Sequence, residues 1–196
     1  MVIGVSFFED FVDAADALEF AYKPAGSDSQ RLNEPGGVIR LLTPTSQYEG
    51  IAAQTVTKLI LARQFPSFGG LVRLPEGPSG LNFFFGFSDF WDLGEYSIGF
   101  SVDNGSNWKG YLDNGTSASS TPDFGIPVTS SFVELSATVE PNQVRFFIDG
   151  VVVGEVSDRN LIPSDPAHMM RFITRFKTYG GQKKADFDNW WFTASR

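Results

Sequence analysis

Residues 132–156 read FVELSATVEPNQVRFFIDGVVVGEV, and apolar and polar positions alternate along most of the segment. Val133, Leu135, Ala137 and Val139 fall on one parity and Phe132, Glu134, Ser136 and Thr138 on the other. That period of two belongs to a strand with one buried face and one wet face. Glu140-Pro141-Asn142 interrupts the run, and Val144, Phe146 and Ile148 resume it. Asp149-Gly150 then leads into Val151-Val152-Val153, and Asp-Gly tolerates the positive φ angles of a type I′ hairpin turn. The pattern predicts three consecutive antiparallel strands.

The same reading extends to the rest of the chain. Residues 2–11 are rich in strand formers, and Asp13-Ala14-Ala15-Asp16-Ala17-Leu18 offers an Asp cap followed by good helix formers. Ala14, Leu18 and Tyr22 are four apart, so one short helix is expected here. Residues 25–35 have loop composition. A strand over 38–42 ends at Pro44, and 51–56 and 58–64 supply two more extended runs. Leu81-Asn82-Phe83-Phe84-Phe85-Gly86-Phe87 is apolar on both parities, which predicts a central strand covered on each side, its glycine marking a bulge or a close backbone approach. Asp103-Asn104-Gly105 and Asp113-Asn114-Gly115 read as hairpin turns bracketing a strand around Trp108. Met170, Phe172, Thr174 and Phe176 oppose Arg171, Ile173, Arg175 and Lys177, and a last strand covers 185–193. About a dozen strands at roughly ten-residue spacing predict an all-β fold. Its expected form is a two-sheet antiparallel β-sandwich (jelly roll), with at most one short helix near the N-terminus and one domain over residues 1–196.

Composition narrows the partners more than the fold. The chain has 20 Phe and 4 Trp but no Cys, so stability must come from packing rather than from disulfides or thiolate-bound metal. Fifteen Lys+Arg against 23 Asp+Glu give a net charge of −8, which repels a phosphate backbone; nucleic acid is not an expected partner. The apolar runs are far shorter than the ~20 residues of a membrane-spanning helix. No membrane partner is expected. MVIGVSFFEDF lacks the basic and long apolar regions of a signal peptide, so cytoplasmic synthesis is expected.

Phe146-Phe147-Ile148-Asp149-Gly150-Val151-Val152-Val153, Phe187-Asp188-Asn189-Trp190-Trp191-Phe192 and Ser6-Phe7-Phe8-Glu9-Asp10-Phe11 resemble, in turn, a late Asp-Gly hairpin, the closing strand and the opening strand beside it in the concanavalin A-like lectin/glucanase superfamily, especially its laminin-G-like members. The resemblance spans nearly the whole chain and implies a jelly roll of two curved antiparallel sheets. Function does not follow, because lectins, glycosidases, adhesion modules and virus structural proteins share the superfold.

Glucanases of this superfamily carry Glu-x-Asp-x-x-Glu on one strand, and that pattern is missing. The nearest substitute is Asp186-Phe187-Asp188, whose carboxylates share a face under strict alternation. Ordering of a strand entry explains those acids more simply than catalysis does. His168, the only histidine, reads as a loop residue. The resemblance makes calcium a possible cofactor, with Asp103, Asn104, Asp113, Asn114, Asp186 and Asp188 as available oxygens; none is predicted. Glycan binding calls for exposed aromatic faces beside amides and acids, and Trp91, Trp108 and Tyr179 are the candidates. Trp190 and Trp191 are adjacent, so at least one of them must point out of the core, and an outward Trp191 needs a cover: a sugar, a loop or another subunit. Arg171, Arg175, Lys177 and Trp191 form a candidate interface, which Glu9, Asp10 and Asp13 of a second copy would complement.

With no catalytic set in view, the expectation is a non-enzymatic surface-binding or assembly protein. Its form would be a phage virion structural or capsid decoration protein, partnered by other virion subunits or by itself as a homo-oligomer, at the virion or extracellular surface. A carbohydrate-binding module that engages a cell-surface glycan is the first alternative, and a glycoside hydrolase or lyase with unconventional acids the second.

Overall fold

The structure, a computed structural model, describes residues 5–9, 18–34, 37–90, 96–115, 119–163 and 169–194. These residues form two antiparallel sheets that pack as a sandwich. The first runs β14 (Val151–Val156), β13 (Gln143–Ile148), β12 (Val133–Glu140), β6 (Ser67–Arg73), β16 (Lys184–Ala194), β4 (Ile39–Leu42) and β3 (Asp28–Arg31), with β1 (Val5–Glu9) beside the end of β16. The second runs β10 (Ser119–Ser120), β9 (Asn107–Asn114), β8 (Tyr96–Asp103), β7 (Leu81–Ser88), β15 (Met169–Thr178), β5 (Gly50–Leu61) and β2 (Leu18–Tyr22), with β11 (Asp123–Pro127) also on β9.

The opening pattern holds residue by residue. Val133, Leu135, Ala137, Val139, Val144, Phe146 and Ile148 are buried, and Asp149 and Gly150 have φ of 50° and 73°. Both central residues therefore sit where a type I′ turn needs them. β14 lies at the sheet edge, which leaves Val151 and Val152 exposed.

Three expectations change. Leu18 and Tyr22 belong to strand β2 rather than to a helix, and residues 13–17 lie outside the described residues. Within the expected 25–35 loop, Asp28–Arg31 pairs with β4 as an edge strand. The two runs after Gly50 are one strand, β5, followed by a 3₁₀ turn over Ala62–Gln64.

Aromatic rings fill the space between the layers. Phe85 packs against Phe172 at 5.1 Å between centroids and against Trp190 at 6.1 Å; Phe68 meets Phe87 at 5.5 Å and Phe172 at 5.6 Å. Each ring removed from water contributes about 1.5–3 kcal/mol. β7 is the covered central strand its composition predicts, between β8 and β15. Gly86 pairs with Gly99, and a side-chain carbon at Gly86 would collide with the Ile98 carbonyl and the Gly99 Cα. The glycine marks a close backbone approach.

On β16, strict alternation back from the inward Trp190 would aim Asp186 into this core. A bulge between Phe187 and Trp190 changes the phase, so Phe187 and Trp190 both point inward and Asp186 points outward. There Asp186 lies in register with Arg40 on one side and Arg73 on the other. Arg40 donates through Nε (2.6 Å) and Nη2 (2.8 Å), and Arg73 donates through Nε (2.8 Å). Arg73 also reaches Glu34 at 2.8 Å. Asp186 is fully buried beneath this cover.

Asp186→Ala is expected to cost about 3 kcal/mol in urea unfolding, because it strands two largely buried guanidinium groups without their shared anion. A loss below about 1 kcal/mol would show that the arginines rehydrate freely. Gly86→Ala is expected to cost about 1–3 kcal/mol in the same measurement through overpacking between β7 and β8; an unchanged midpoint would contradict the close approach.

Candidate functional site

The outer face of the second sheet carries the chemistry. Alternation along β7, β8, β9 and β15 turns Asn82, Phe84, Ser101, Asp103, Lys109, Tyr111, Arg175 and Lys177 away from the core, because Phe83, Phe85, Phe100, Val102, Trp108, Leu112, Phe172 and Phe176 fill it. Pairing registers arrange these side chains in two neighbouring rows. Lys177, Asn82 and Asp103 form one; Arg175, Phe84, Ser101 and Lys109 form the other.

Two depressions open along the rows. One, of 330 Å³, is lined by Tyr48, Asn82, Arg175, Lys177 and Tyr179. The other, of 140 Å³, brings in Ser101, Asp103, Lys109, Tyr111 and Thr121. Asn82 and Arg175 line both. A hydrogen-bonded chain organises the boundary: Arg175 Nη2 donates to Asn82 Oδ1 at 2.6 Å, Asn82 Nδ2 donates to Asp103 Oδ1 at 2.9 Å, and the Tyr179 hydroxyl donates to the same oxygen. Having a donor on its oxygen and an acceptor on its nitrogen fixes the orientation of the Asn82 amide.

The loop residues are held by backbone bonds. Tyr179 N–H donates to the Gly80 carbonyl at 2.9 Å, and Tyr48 N–H donates to the Thr178 carbonyl at 2.7 Å. Tyr48 has φ of 64° and its side chain is 66% exposed. A large residue in left-handed backbone with its ring in water costs stability, and such strain concentrates at sites with a task. Its ring meets Tyr179 edge to face at 5.7 Å. The apolar floor farther along the face is Ala52, Phe84 and Ile173, with Tyr111 against Phe84 at 5.9 Å.

The electrostatics follow from these contacts. The Tyr179 hydroxyl, then the Asn82 amide, holds the Asp103 carboxyl below the usual aspartate range. The same bond to Asp103 pushes the Tyr179 phenol above its ordinary value, and burial raises that of Tyr111. Near neutral pH the site presents an ionised carboxylate beside a protonated phenol.

Of the residues expected to bind a glycan, Tyr179 lines the larger depression. Trp108 does not serve: it is buried in the core against Phe83 at 5.9 Å, because Lys109 and Tyr111 take the outer parity of β9. Trp91 and His168 lie outside the described residues.

The expected interface stripe is divided. Arg175 and Lys177 belong to the depressions, whereas Arg171 pairs with Glu19 of its own sheet at 3.0 Å. Trp191 faces out of the other sheet, where its ring lies over Gly69, so the missing Cβ of a glycine provides the room that a cover was expected to supply. Asp10 and Asp13 lie outside the described residues. Asp186, the nearest substitute for a catalytic acid, is enclosed by two arginines on the opposite sheet. Among the described residues no three His, Cys, Asp or Glu side chains are grouped to hold a metal ion.

Asn82 and Tyr48 escape sequence reading, and Asp103 enters it only as an available calcium oxygen, for separate reasons. Asp103 stands in an Asp-Asn-Gly turn that explains itself, Tyr48 in an unpatterned loop, and Asn82 is a single amide in an apolar run. That lone polar residue was the available signal.

No protein-family model matches the chain, and no curated protein does. Solved structures match over nearly its full length. A protein of unknown function from Shewanella oneidensis MR-1 superposes with a TM-score of 0.72 at 12% identity, over 98% of this chain and 87% of that one. A transglycosylase in complex with NAG gives 0.66 at 13%, over 97% and 83%, and a Bacillus licheniformis β-glucanase 0.66 at 12%, over 97% and 98%. The fold is thus the concanavalin A-like jelly roll. These matches correct the expectation of a non-enzymatic virion structural or decoration protein, since the likeness runs to a β-glucanase and a transglycosylase.

The Asp103–Tyr179 bond is testable by carbon-13 NMR titration. Asp103 is expected to titrate below the usual ~3.9 and Tyr179 above ~10. The lowered carboxyl contributes stability above its unfolded value that is lost as pH falls through its folded one; the raised phenol contributes stability below ~10 that is lost as pH rises through its folded value. Tyr179→Phe should return Asp103 towards ~3.9. An unmoved Asp103 midpoint would rule the bond out.

Proposed function

We propose that this chain is a carbohydrate-active protein that lays a glycan across the outer face of its second sheet, over the depressions flanking Asn82 and Arg175. The carrying observation is the hydrogen-bonded chain from Arg175 through Asn82 and Asp103 to Tyr179, beside the exposed ring of Tyr48. Sugars present apolar ring faces edged by hydroxyl groups. A tyrosine pair supplies surface for the faces, and fixed amide, carboxylate and guanidinium groups supply partners for the edges. The likeness to a β-glucanase and to a transglycosylase holding NAG supports this reading.

The acid–base groups of the proposed reaction are Asp103 and Tyr179. Hydrolysis usually divides the acid and base roles between two carboxylates. Asp103 is the one carboxylate among the residues lining the depressions, so a phenol takes the part of the second acid. Asp103, held ionised, takes a proton from a water molecule whose oxygen bonds to the anomeric carbon; Tyr179, held protonated, gives its proton to the glycosidic oxygen as that oxygen's bond to the same carbon breaks, and water returns a proton to the phenolate. A sugar hydroxyl or water that replaces Tyr179 on the carboxylate frees the phenol to act.

A panel of polysaccharides, assayed for new reducing ends and for binding, tests the reading. Asp103→Asn is expected to lower turnover by about 100-fold or more with little change in binding. Tyr48→Ala should weaken binding by roughly tenfold with melting unchanged. Cleavage that survives Asp103→Asn would remove Asp103 from the mechanism, and binding indifferent to Tyr48→Ala would move the glycan elsewhere.

A further inference from the structure

The lining of the two depressions has the opposite sign to the rest of the protein. The chain carries a net charge of −8. The depressions are nevertheless lined by Lys109, Arg175 and Lys177 against one carboxylate, Asp103, which already accepts hydrogen bonds from Asn82 and Tyr179. Both Lys109 and Arg175 act on Asp103 in the sense that favours its ionised form, so the local field is positive where the carboxylate sits.

The cations also flank the site. Arg175 and Lys177 stand on β15 and Lys109 on β9, with β7 and β8 between them. Three strand spacings separate the two sides, about 14 Å, a span that a short oligosaccharide covers. A neutral sugar seated there would strip water from ammonium groups and return no charge to them. A sugar carrying carboxylate or sulfate groups would replace that water with charge-assisted hydrogen bonds. Arg175, 6% exposed and bound to Asn82, is fixed in place before any ligand arrives.

We propose that the glycan taken by this face is anionic, a chain of sugars bearing carboxylate or sulfate groups received by Lys109, Arg175 and Lys177. The proposal rests on the glycan reading above and narrows it to a substrate class. Attraction acts within about a Debye length, ~8–10 Å at moderate salt, so of the acidic remainder only near neighbours offset it, chiefly Asp123 in register with Lys109 and Asp113 near Tyr111.

The test is calorimetric titration with three oligosaccharides of equal length: a polyuronate, a sulfated glycan and a neutral β-glucan, at low and high salt. Three variants accompany the parent protein: Lys109→Met and Lys177→Met in the depressions, and Lys184→Met on the first sheet, where Lys184 pairs with Glu76. The expected result is at least tenfold tighter binding of an anionic oligosaccharide than of the neutral one, weakened by salt. Lys109→Met and Lys177→Met should each lose about tenfold towards the anionic ligand and little towards the neutral one, with melting unchanged; Lys184→Met should bind as the parent does. Preference between polyuronate and sulfated glycan identifies the anionic group. Equal or tighter binding of the neutral β-glucan overturns the charge proposal and leaves the glycan reading standing. An equal loss in Lys184→Met reduces the effect to general attraction of polyanions and overturns it as well. Binding of none of the three removes both.

Discussion

Edge-to-face packing of aromatic rings between two sheets is the interaction on which the rest of this protein depends. Phe85 lies among Phe68, Phe172, Phe187 and Trp190, drawing on β6, β15 and β16 at once. Rings in contact from both layers fix how the sheets sit on each other, and dense packing leaves little room for a shift. Because each strand gives one parity to this core, the other parity faces outward. The rows across the second sheet are therefore a consequence of the core.

The two arginine-bonded networks show how position decides the use of a charge. Asp186 lies mid-sheet with an arginine in register on each flank and is sealed from water. Its charge is spent on holding β4, β16 and β6 together. Asp103 lies at the end of β8, where the strand gives way to a turn and two loop tyrosines stand nearby. It bonds to groups that a ligand can displace, in a place a ligand can reach. Loops and strand ends carry function because their backbone is not committed on every side.

Function was less legible than architecture, and particular residues explain why. Trp108 has the composition of a sugar-binding residue, but its parity along β9 sends it inward. Trp191 looked as if it needed a cover, and the absent side chain of Gly69, far away in sequence, supplied the space. Strict alternation put Asp186 and Asp188 on the face of Trp190 until a single bulge broke the phase between Phe187 and Trp190. One inserted residue reverses which way every side chain before it points, and nothing in the local composition announces it.

Period-two alternation, the Asp-Gly turn at 149–150 and the two-sided apolar run of β7 are local properties, written in consecutive residues. By itself the sequence determined from them that the chain is all-β, that the consecutive strands over 132–156 pair as neighbours and which strand lies at a sheet's centre. The meeting of Asn82, Asp103, Arg175 and Tyr179 is not local: those residues are up to 97 positions apart. Their convergence depends on β15 returning beside β7 and on the register of that pairing. Only the tertiary structure decided it, because the energy that sets the register comes from rings buried on the opposite face of the same strands.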